Sequence, residues 1–273
     1  MDLRGASAES LSAVSGSLRD AVAGGADAAA IADELFAVAS AVRAEGTLRR
    51  VLTDVSIPGE AKQGLARDIL AGKAGEATTS LVEQAVASRW TSGRDLPDAL
   101  ERLSQVAVAR SAAGGAVDEG ERLSDELFAV QRLVDDNADL RDALSDPART
   151  RADKEKLIES LLAGKALPAT VTLAKQALAG SYRTVSAALK EYQAVAAAVR
   201  NESVATVRVA RALSDADLNR LGQALSAQYG RTVHLNVIVD PAVLGGIKVE
   251  LGDDVIDGTV ASRLDDARRR LAS

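Results

Sequence analysis

The 273-residue chain is 47% hydrophobic but only 2% aromatic, carries a net charge of −6 and contains no cysteine. Its acidic balance argues against a nucleic-acid partner, which calls for a basic face, and the missing cysteines exclude disulfide and thiolate chemistry. Cores that lack aromatic rings must be filled by Ala, Leu and Val, a composition that favours closely packed helices.

The first predicted helix covers residues 6 to 22, where Leu11, Val14 and Leu18 recur at spacings of three and four. Gly24-Gly25 ends it. A second runs from about Ala28 to Glu45, capped by Asp27 and stopped by Gly46, with Ile31, Leu35, Val38 and Val42 on its apolar face. A third follows Pro58, which suits a first helical turn, and closes at Gly72. A fourth spans Glu76 to Trp90 and a fifth Leu96 to Ala113, before Gly114-Gly115.

Then the pattern starts again. Asp33-Glu34-Leu35-Phe36-Ala37-Val38 recurs as Asp125-Glu126-Leu127-Phe128-Ala129-Val130, and Leu70-Ala71-Gly72-Lys73-Ala74 as Leu162-Ala163-Gly164-Lys165-Ala166. Leu48-Arg49 returns as Leu140-Arg141, Gln84-Ala85 as Gln176-Ala177, and Trp90 is matched by Tyr182. Every pair is 92 residues apart, as 125 − 33 and 182 − 90 show. A constant offset reads as a duplicated helical unit and not as a short-period solenoid, whose repeats run to roughly 20–50 residues. The second copy is expected to carry helices at 118–136, 151–162, 168–181 and 185–201. At the same offset Leu11 and Val14 fall on Leu103 and Val106, so the helix at 96–113 is a candidate for sharing between the copies.

After Glu202 the period changes from 3.6 to 2. Ala205, Val207 and Val209 alternate with Thr206 and Arg208 as a strand. Ser214 with Asp217 resembles a capping box ahead of the Leu218, Leu221 and Leu225 stripe. Val233, Leu235, Val237 and Val239 form one face of a further strand, and Ile247, Val249 and Leu251 of another. Asp240-Pro241 is turn chemistry, and Gly245-Gly246 allows a backbone shape that a Cβ would block. Val255-Ile256 starts a short return, and Asp257 or Thr259 can cap a last helix with Val260, Leu264, Ala267 and Leu271 on one stripe. At about 70 residues this element is small enough to need support from a neighbour. The expected fold is thus mainly α: bundle copy one at 1–115, copy two at 116–201, and a small α/β domain at 202–273.

The order Asp240-Pro241, Gly245-Gly246, Val255-Ile256, Asp257-Gly258-Thr259 and Arg263-Leu264 resembles the C-terminal signature of the delta subunit of F-type ATP synthases, the oligomycin-sensitivity-conferring protein of mitochondria. Leu140 to Pro147 is similar to a helix end of the same family. The resemblance implies a peripheral-stalk subunit that links the catalytic head to the stalk and resists rotation. Its implied partners are the alpha subunits and the b subunit, with one copy per complex, on the cytoplasmic side of the cell membrane. Family members have one bundle, so the extra copy is a departure. Because the bundle that holds an alpha helix directly precedes the C-terminal domain, the expected groove lies on copy two, between Leu103 and Val106 on its first helix and Leu189 and Val195 on its last. A free-standing helical scaffold is the competing reading, which the duplication alone would fit.

Nothing else in the sequence points to catalysis or to a cofactor. Gly72-Lys73 and Gly164-Lys165 lack the rest of a phosphate loop and read as helix ends. His234 is the single histidine, too isolated for a zinc or nucleophile site. Asp253, Asp254 and Asp257 lack calcium-loop spacing, and Arg268-Arg269-Arg270 complements a helix end. No cofactor, no metal and no enzymatic activity are expected. The longest uncharged run, Leu221 to Gly230, is far short of the roughly 18 residues of a membrane span. Asp2, Arg4 and Glu9 interrupt any signal-peptide core. Membrane association is therefore expected only through a partner.

Overall fold

The computed structural model describes residues 3–114, 119–200, 203–230, 232–241, 243, 245–251 and 254–260. The chain divides into two units, Met1–Ala196 and Ala197–Ser273. Eleven helices begin in the first: α1 (Ala6–Ala23), α2 (Ala28–Ala44), α3 (Gly46–Thr53), α4 (Gly59–Leu70), α5 (Glu76–Ala87), α6 (Asp95–Ala113), α7 (Glu119–Asp136), α8 (Ala138–Ser145), α9 (Arg151–Leu162), α10 (Pro168–Gln176) and α11 (Val185–Val199).

Most boundaries follow local chemistry. The Asp27 carboxylate accepts the N–H groups of Ala29 and Ala30 at the start of α2, satisfying donors that have no partner inside the helix. Three sequence expectations fail. Gly46 does not stop a helix but opens α3, the chain turning at Glu45. The eight-residue α3 is missing from the expected elements, and its counterpart α8 is touched only by the helix end at Leu140 to Pro147; both are amphipathic but short. The helix expected at 168–181 ends at Gln176, because the chain tightens beyond it: the N–H groups of Leu178 and Ala179 bond carbonyls three residues back, and that of Ser181 bonds a side chain of α6.

That α6 side chain is Glu101, whose carboxylate is fully buried. It takes a hydrogen bond from Arg43 of α2, while Arg43 also reaches Asp98 at 3.0 Å. The Ser181 N–H lies 3.1 and 3.0 Å from its two oxygens, and Gln105 Nε2 is 3.4 Å away. Gly180 packs so closely that an added Cβ would lie 3.2 Å from the carboxyl carbon. One turn on, Ser104 Oγ donates to the Ala32 carbonyl (2.7 Å) and accepts from Gln176 Nε2 (2.9 Å). Helix α6 therefore contacts α1, α2 and α5 of the N-terminal copy and α7 and α10 of the second. Tyr182 and Tyr192 meet edge to face, 5.7 Å between centroids. Burial raises both hydroxyls far above their ordinary range, aided at Tyr192 by the Glu101 charge, so both stay neutral.

The 92-residue offset reappears as geometry. Glu34 accepts the Gly75 N–H at 3.0 Å, and Glu126 accepts the Leu167 N–H at 2.7 Å. Arg49 donates to the Arg43 carbonyl at 2.7 Å, and Arg141 to the Asp135 carbonyl at 2.9 Å. Gly72 and Gly164 have φ of 70° and 68°. The pair Arg67–Glu83 (2.8 Å) is matched by Glu159–Lys175 (2.7 Å), with the charges exchanged.

In the second unit β1 (Ser203–Val209), α12 (Asp215–Tyr229), β2 (Val233–Val239), β3 (Ile247–Leu251) and β4 (Asp254–Asp257) form a sheet of order β2-β1-β3-β4. β1 and β2 are parallel, joined through α12; β3 is antiparallel to β1, and β4 to β3. Ser214 caps α12 through the Asp217 N–H, and Gly230 closes it in the left-handed conformation. Leu225 sits in a core with Ala205, Val207, Val209, Val233, Val249 and Leu251. The expected valine face of β2 is only partly right: Val233 is buried, but Val239 is 49% exposed and Asn236, on the opposite face, is buried. The predicted helix beyond Val260 lies outside the described residues, as do Arg263 and Leu264.

Two substitutions probe these features. Replacing Glu101 by alanine leaves Arg43 and the Ser181 N–H facing an empty site. A loss of about 3–5 kcal/mol is expected in denaturant unfolding of the full chain; an unchanged midpoint would show that the bridge between the copies is not needed. In the second unit Gly246 has φ +86°, and a Cβ there would fall 2.8 Å from Thr259 Cα. Gly246→Val is expected to cost at least about 1–3 kcal/mol, seen as faster amide exchange in the sheet with the helices α1–α10 unaffected.

Candidate partner-docking surfaces

The signature residues among those described, Asp240 to Thr259, are linked through backbone hydrogen bonds although they span twenty positions. Asp240 bonds through its N–H to the Val209 carbonyl (2.8 Å) at the end of β1, and its own carbonyl accepts the Val243 N–H (3.0 Å). Pro241 follows in the turn, where its missing N–H costs nothing. Gly245 and Gly246, both at positive φ, bring the start of β3 against the segment after β4. The Val260 N–H bonds the Gly245 carbonyl (3.1 Å), and the Gly258 N–H bonds the Ile247 carbonyl (2.9 Å). Gly258 and Thr259 occupy the space a side chain on Gly246 would need.

Asp257 is, with Thr259, one of the two expected helix caps. Its carboxylate accepts both the N–H (2.9 Å) and the hydroxyl (2.7 Å) of Thr259, which is itself buried. These bonds hold the Asp257 carboxyl below the usual carboxylate range. A depressed folded pKa means that the contribution is present above the ordinary value of about 3.9 and is lost as pH falls through the folded value. Val255 and Ile256, on the outermost strand β4, are 57% and 40% exposed. An edge strand with apolar side chains outward offers a partner both backbone and apolar surface. Alongside, Val209, Leu213, Gly245, Gly246 and Ile247 line a recess of about 500 Å³.

On the helical unit, the four residues expected to form a groove are placed on α6 and α11, two helices joined by the Arg102–Glu191 ion pair (3.1 Å). Leu103, Leu189 and Val195 are buried by the chain's own helices, and Val106 is half-buried. In the free chain only Val106 of the four thus offers apolar surface. Phe36 and Trp90 are buried as well, Trp90 donating through Nε1 to the Ala85 carbonyl (2.8 Å) and Phe36 lying under the Arg151 guanidinium. Gly72 and Gly164 close their helices through bonds from Lys73 and Lys165 N–H groups to Leu70 and Leu162 carbonyls. No cluster of metal-ligating side chains occurs among the described residues, where His234 is half-buried on β2. Sequence reasoning missed Glu101 entirely: a lone glutamate on an amphipathic helix reads as solvated, and only its apolar neighbours Leu100 and Leu103 hinted otherwise.

The family described as the ATP synthase delta (OSCP) subunit matches residues 106–271. "ATP synthase subunit delta" of a Nocardioides species is 59% identical over 244 residues, covering 89% of this chain and 88% of that one. The Nocardia farcinica protein of the same name is 43% identical over 246 residues, 90% of each chain. Alignments of that length extend well upstream of residue 106, so these relatives share helices of the N-terminal copy. A chain of the solved structure "Cryo-EM structure of Toxoplasma gondii mitochondrial ATP synthase hexamer, composite model" is 18% identical, with a TM-score of 0.37, over 62% of this chain and 97% of that one, a likeness too distant to carry an argument. With the described signature residues bonded to one another and the family match running through copy two and the sheet, the chain belongs to the ATP synthase delta (OSCP) subunit family.

Proposed function

We propose that this peripheral-stalk subunit is a non-catalytic stator: it ties the catalytic head of a proton-translocating ATP synthase to the b-subunit stalk, so that the head does not turn with the rotor. Copy two takes the N-terminal helix of an alpha subunit, and the α/β unit takes the end of the b subunit. One chain serves each complex, on the cytoplasmic side of the cell membrane.

The observation that carries this reading is where the family match begins. Residue 106 lies inside α6, so the match takes in α7–α11 and the sheet and leaves α1–α5 outside. Copy two therefore holds the place of the bundle that directly precedes the C-terminal domain. Copy one is an added brace, fastened to copy two through Glu101 and Ser104. A stator has to be stiff and needs no reaction chemistry, and a helical unit with a buried polar bridge suits that task. No helix among the described residues is long and apolar enough to cross a membrane, which fits attachment through partners.

The alpha helix is placed over the seam of α6 and α11, where an amphipathic segment can lay its apolar face along half-buried Val106. Charge at that point should be costly to binding and mild for folding. Val106→Asp and Leu11→Asp, both at half-buried positions on copy-related helices, are to be titrated with a synthetic peptide of the alpha N-terminus. We expect Val106→Asp to weaken binding about tenfold or more, equivalent to about 1.4 kcal/mol, and Leu11→Asp to leave it unchanged. The reverse pattern would make copy one the clamp. Retention of the b subunit in a pull-down from solubilised membranes, and its loss on truncation after Arg200, tests the second contact.

A further inference from the structure

The two copies differ in charge at one end. Around the α2–α3 corner and the start of α6, copy one carries Arg43, Arg49, Arg50 and Arg94; the positions 92 residues on are Asp135, Arg141, Asp142 and Ser186. Arg49 and Arg141 have the same local duty, bonding the last carbonyls of α2 and α7. The other three changed from or to cations without any such duty in copy two. Arg43 is accounted for by Asp98 and Glu101. Arg49, Arg50 and Arg94 have no carboxylate within ion-pair distance, and Arg50 and Arg94 are exposed.

These arginines are not scattered over a solvated face. Arg43, Arg49, Arg94, Pro97 and Ser181 border a recess of about 370 Å³ together with the already paired Asp98. Arg49 also borders an adjoining recess of about 460 Å³, with Arg50, Thr47 and Thr53. One Arg43 nitrogen, Nη1, is buried without an acceptor. A cationic concavity on a chain of net charge −6 is a local feature that the overall charge does not explain.

We propose that this end of copy one binds an acidic segment of a partner protein, with one carboxylate in each recess and Arg49 shared between them. Planar guanidinium groups match carboxylates through paired hydrogen bonds. Two joined recesses suit an extended chain with two acidic side chains better than a single small oxyanion, and a flat membrane surface cannot enter them. Its arginines lie outside the family match, and the proposal does not depend on the stator reading.

The test uses the full-length chain and a fluorescein-labelled hexaglutamate peptide, followed by anisotropy at low ionic strength. A protein of net negative charge repels a polyanion in general, so saturable binding reports the arginine cluster. The double variant Arg50→Asp/Arg94→Ser installs the copy-two residues at two exposed positions, and its folding is checked by thermal melting. A second variant, Arg94→Gln, removes one charge without adding another. We expect saturable binding to the natural chain, a loss of about tenfold or more in the double variant, an intermediate loss in Arg94→Gln, and weakening with added salt. Absence of saturable binding, or equal affinity in the folded double variant, would overturn the proposal. So would displacement of the peptide by inorganic phosphate at equal concentration, which would make this a free-oxyanion site.

Discussion

A carboxylate removed from water has to be matched on every side, and Glu101 is matched by both halves of the helical unit at once. Arg43 comes from the N-terminal copy, and the Ser181 N–H comes from the second. The carboxylate itself stands on α6, which contacts helices of both copies. Such a bridge need not stabilise more than apolar residues of equal volume would, since desolvation offsets much of the attraction. Its effect is on registry: any sliding of α2 or of the α10–α11 turn along α6 would leave a buried charge unpaired. The absence of a side chain on Gly180 belongs to the same constraint, because the turn must come close enough for its N–H to reach. The early end of α10 follows too.

The duplication shows which parts of a helical unit are held by geometry and which are free to drift. Backbone-directed contacts persist in both copies: Glu34 and Glu126 accept the N–H at the start of a helix, Arg49 and Arg141 bond the carbonyls at the end of another, and Gly72 and Gly164 keep positive φ. Backbone groups cannot change with mutation, so the side chain that satisfies them is constrained. Ion pairs between side chains are not, as the exchange of charges between Arg67–Glu83 and Glu159–Lys175 shows. Charge without a fixed backbone duty is therefore where the copies could diverge toward different partners. Arg50 and Arg94, at one end of copy one, are of this kind.

In the α/β unit the signature residues are tied to one another rather than to a reaction. Gly245 and Gly246 let β3 approach Gly258 and Thr259, and Asp257 holds Thr259 in place. A rigid node at one edge of a four-stranded sheet leaves Val255 and Ile256 exposed on β4. A side chain that is apolar, exposed and rigidly presented is what a permanent partner can use. The sheet is small, and a unit of this size buries a modest fraction of its surface by itself.

The sequence alone determined the helical class, the copy offset, the change of period after Glu202 and the membership signalled by Asp240 to Thr259. Each of these is written in local spacing, and spacing survives without knowledge of neighbours. It also told correctly that Gly246 needs a special backbone, because glycine pairs beside a strand have few other uses. What fills the space beside Gly246, by contrast, was decided by the tertiary structure, since Thr259 is thirteen positions away. The same holds for Leu103, Leu189 and Val195: helical periodicity marked them as apolar anchors but could not say whether this chain or a partner covers them. Glu101 was invisible for the opposite reason. Its surroundings are assembled from Arg43 and Ser181, 58 and 80 residues away, and a buried charge is recognisable only once the groups that neutralise it have been brought together.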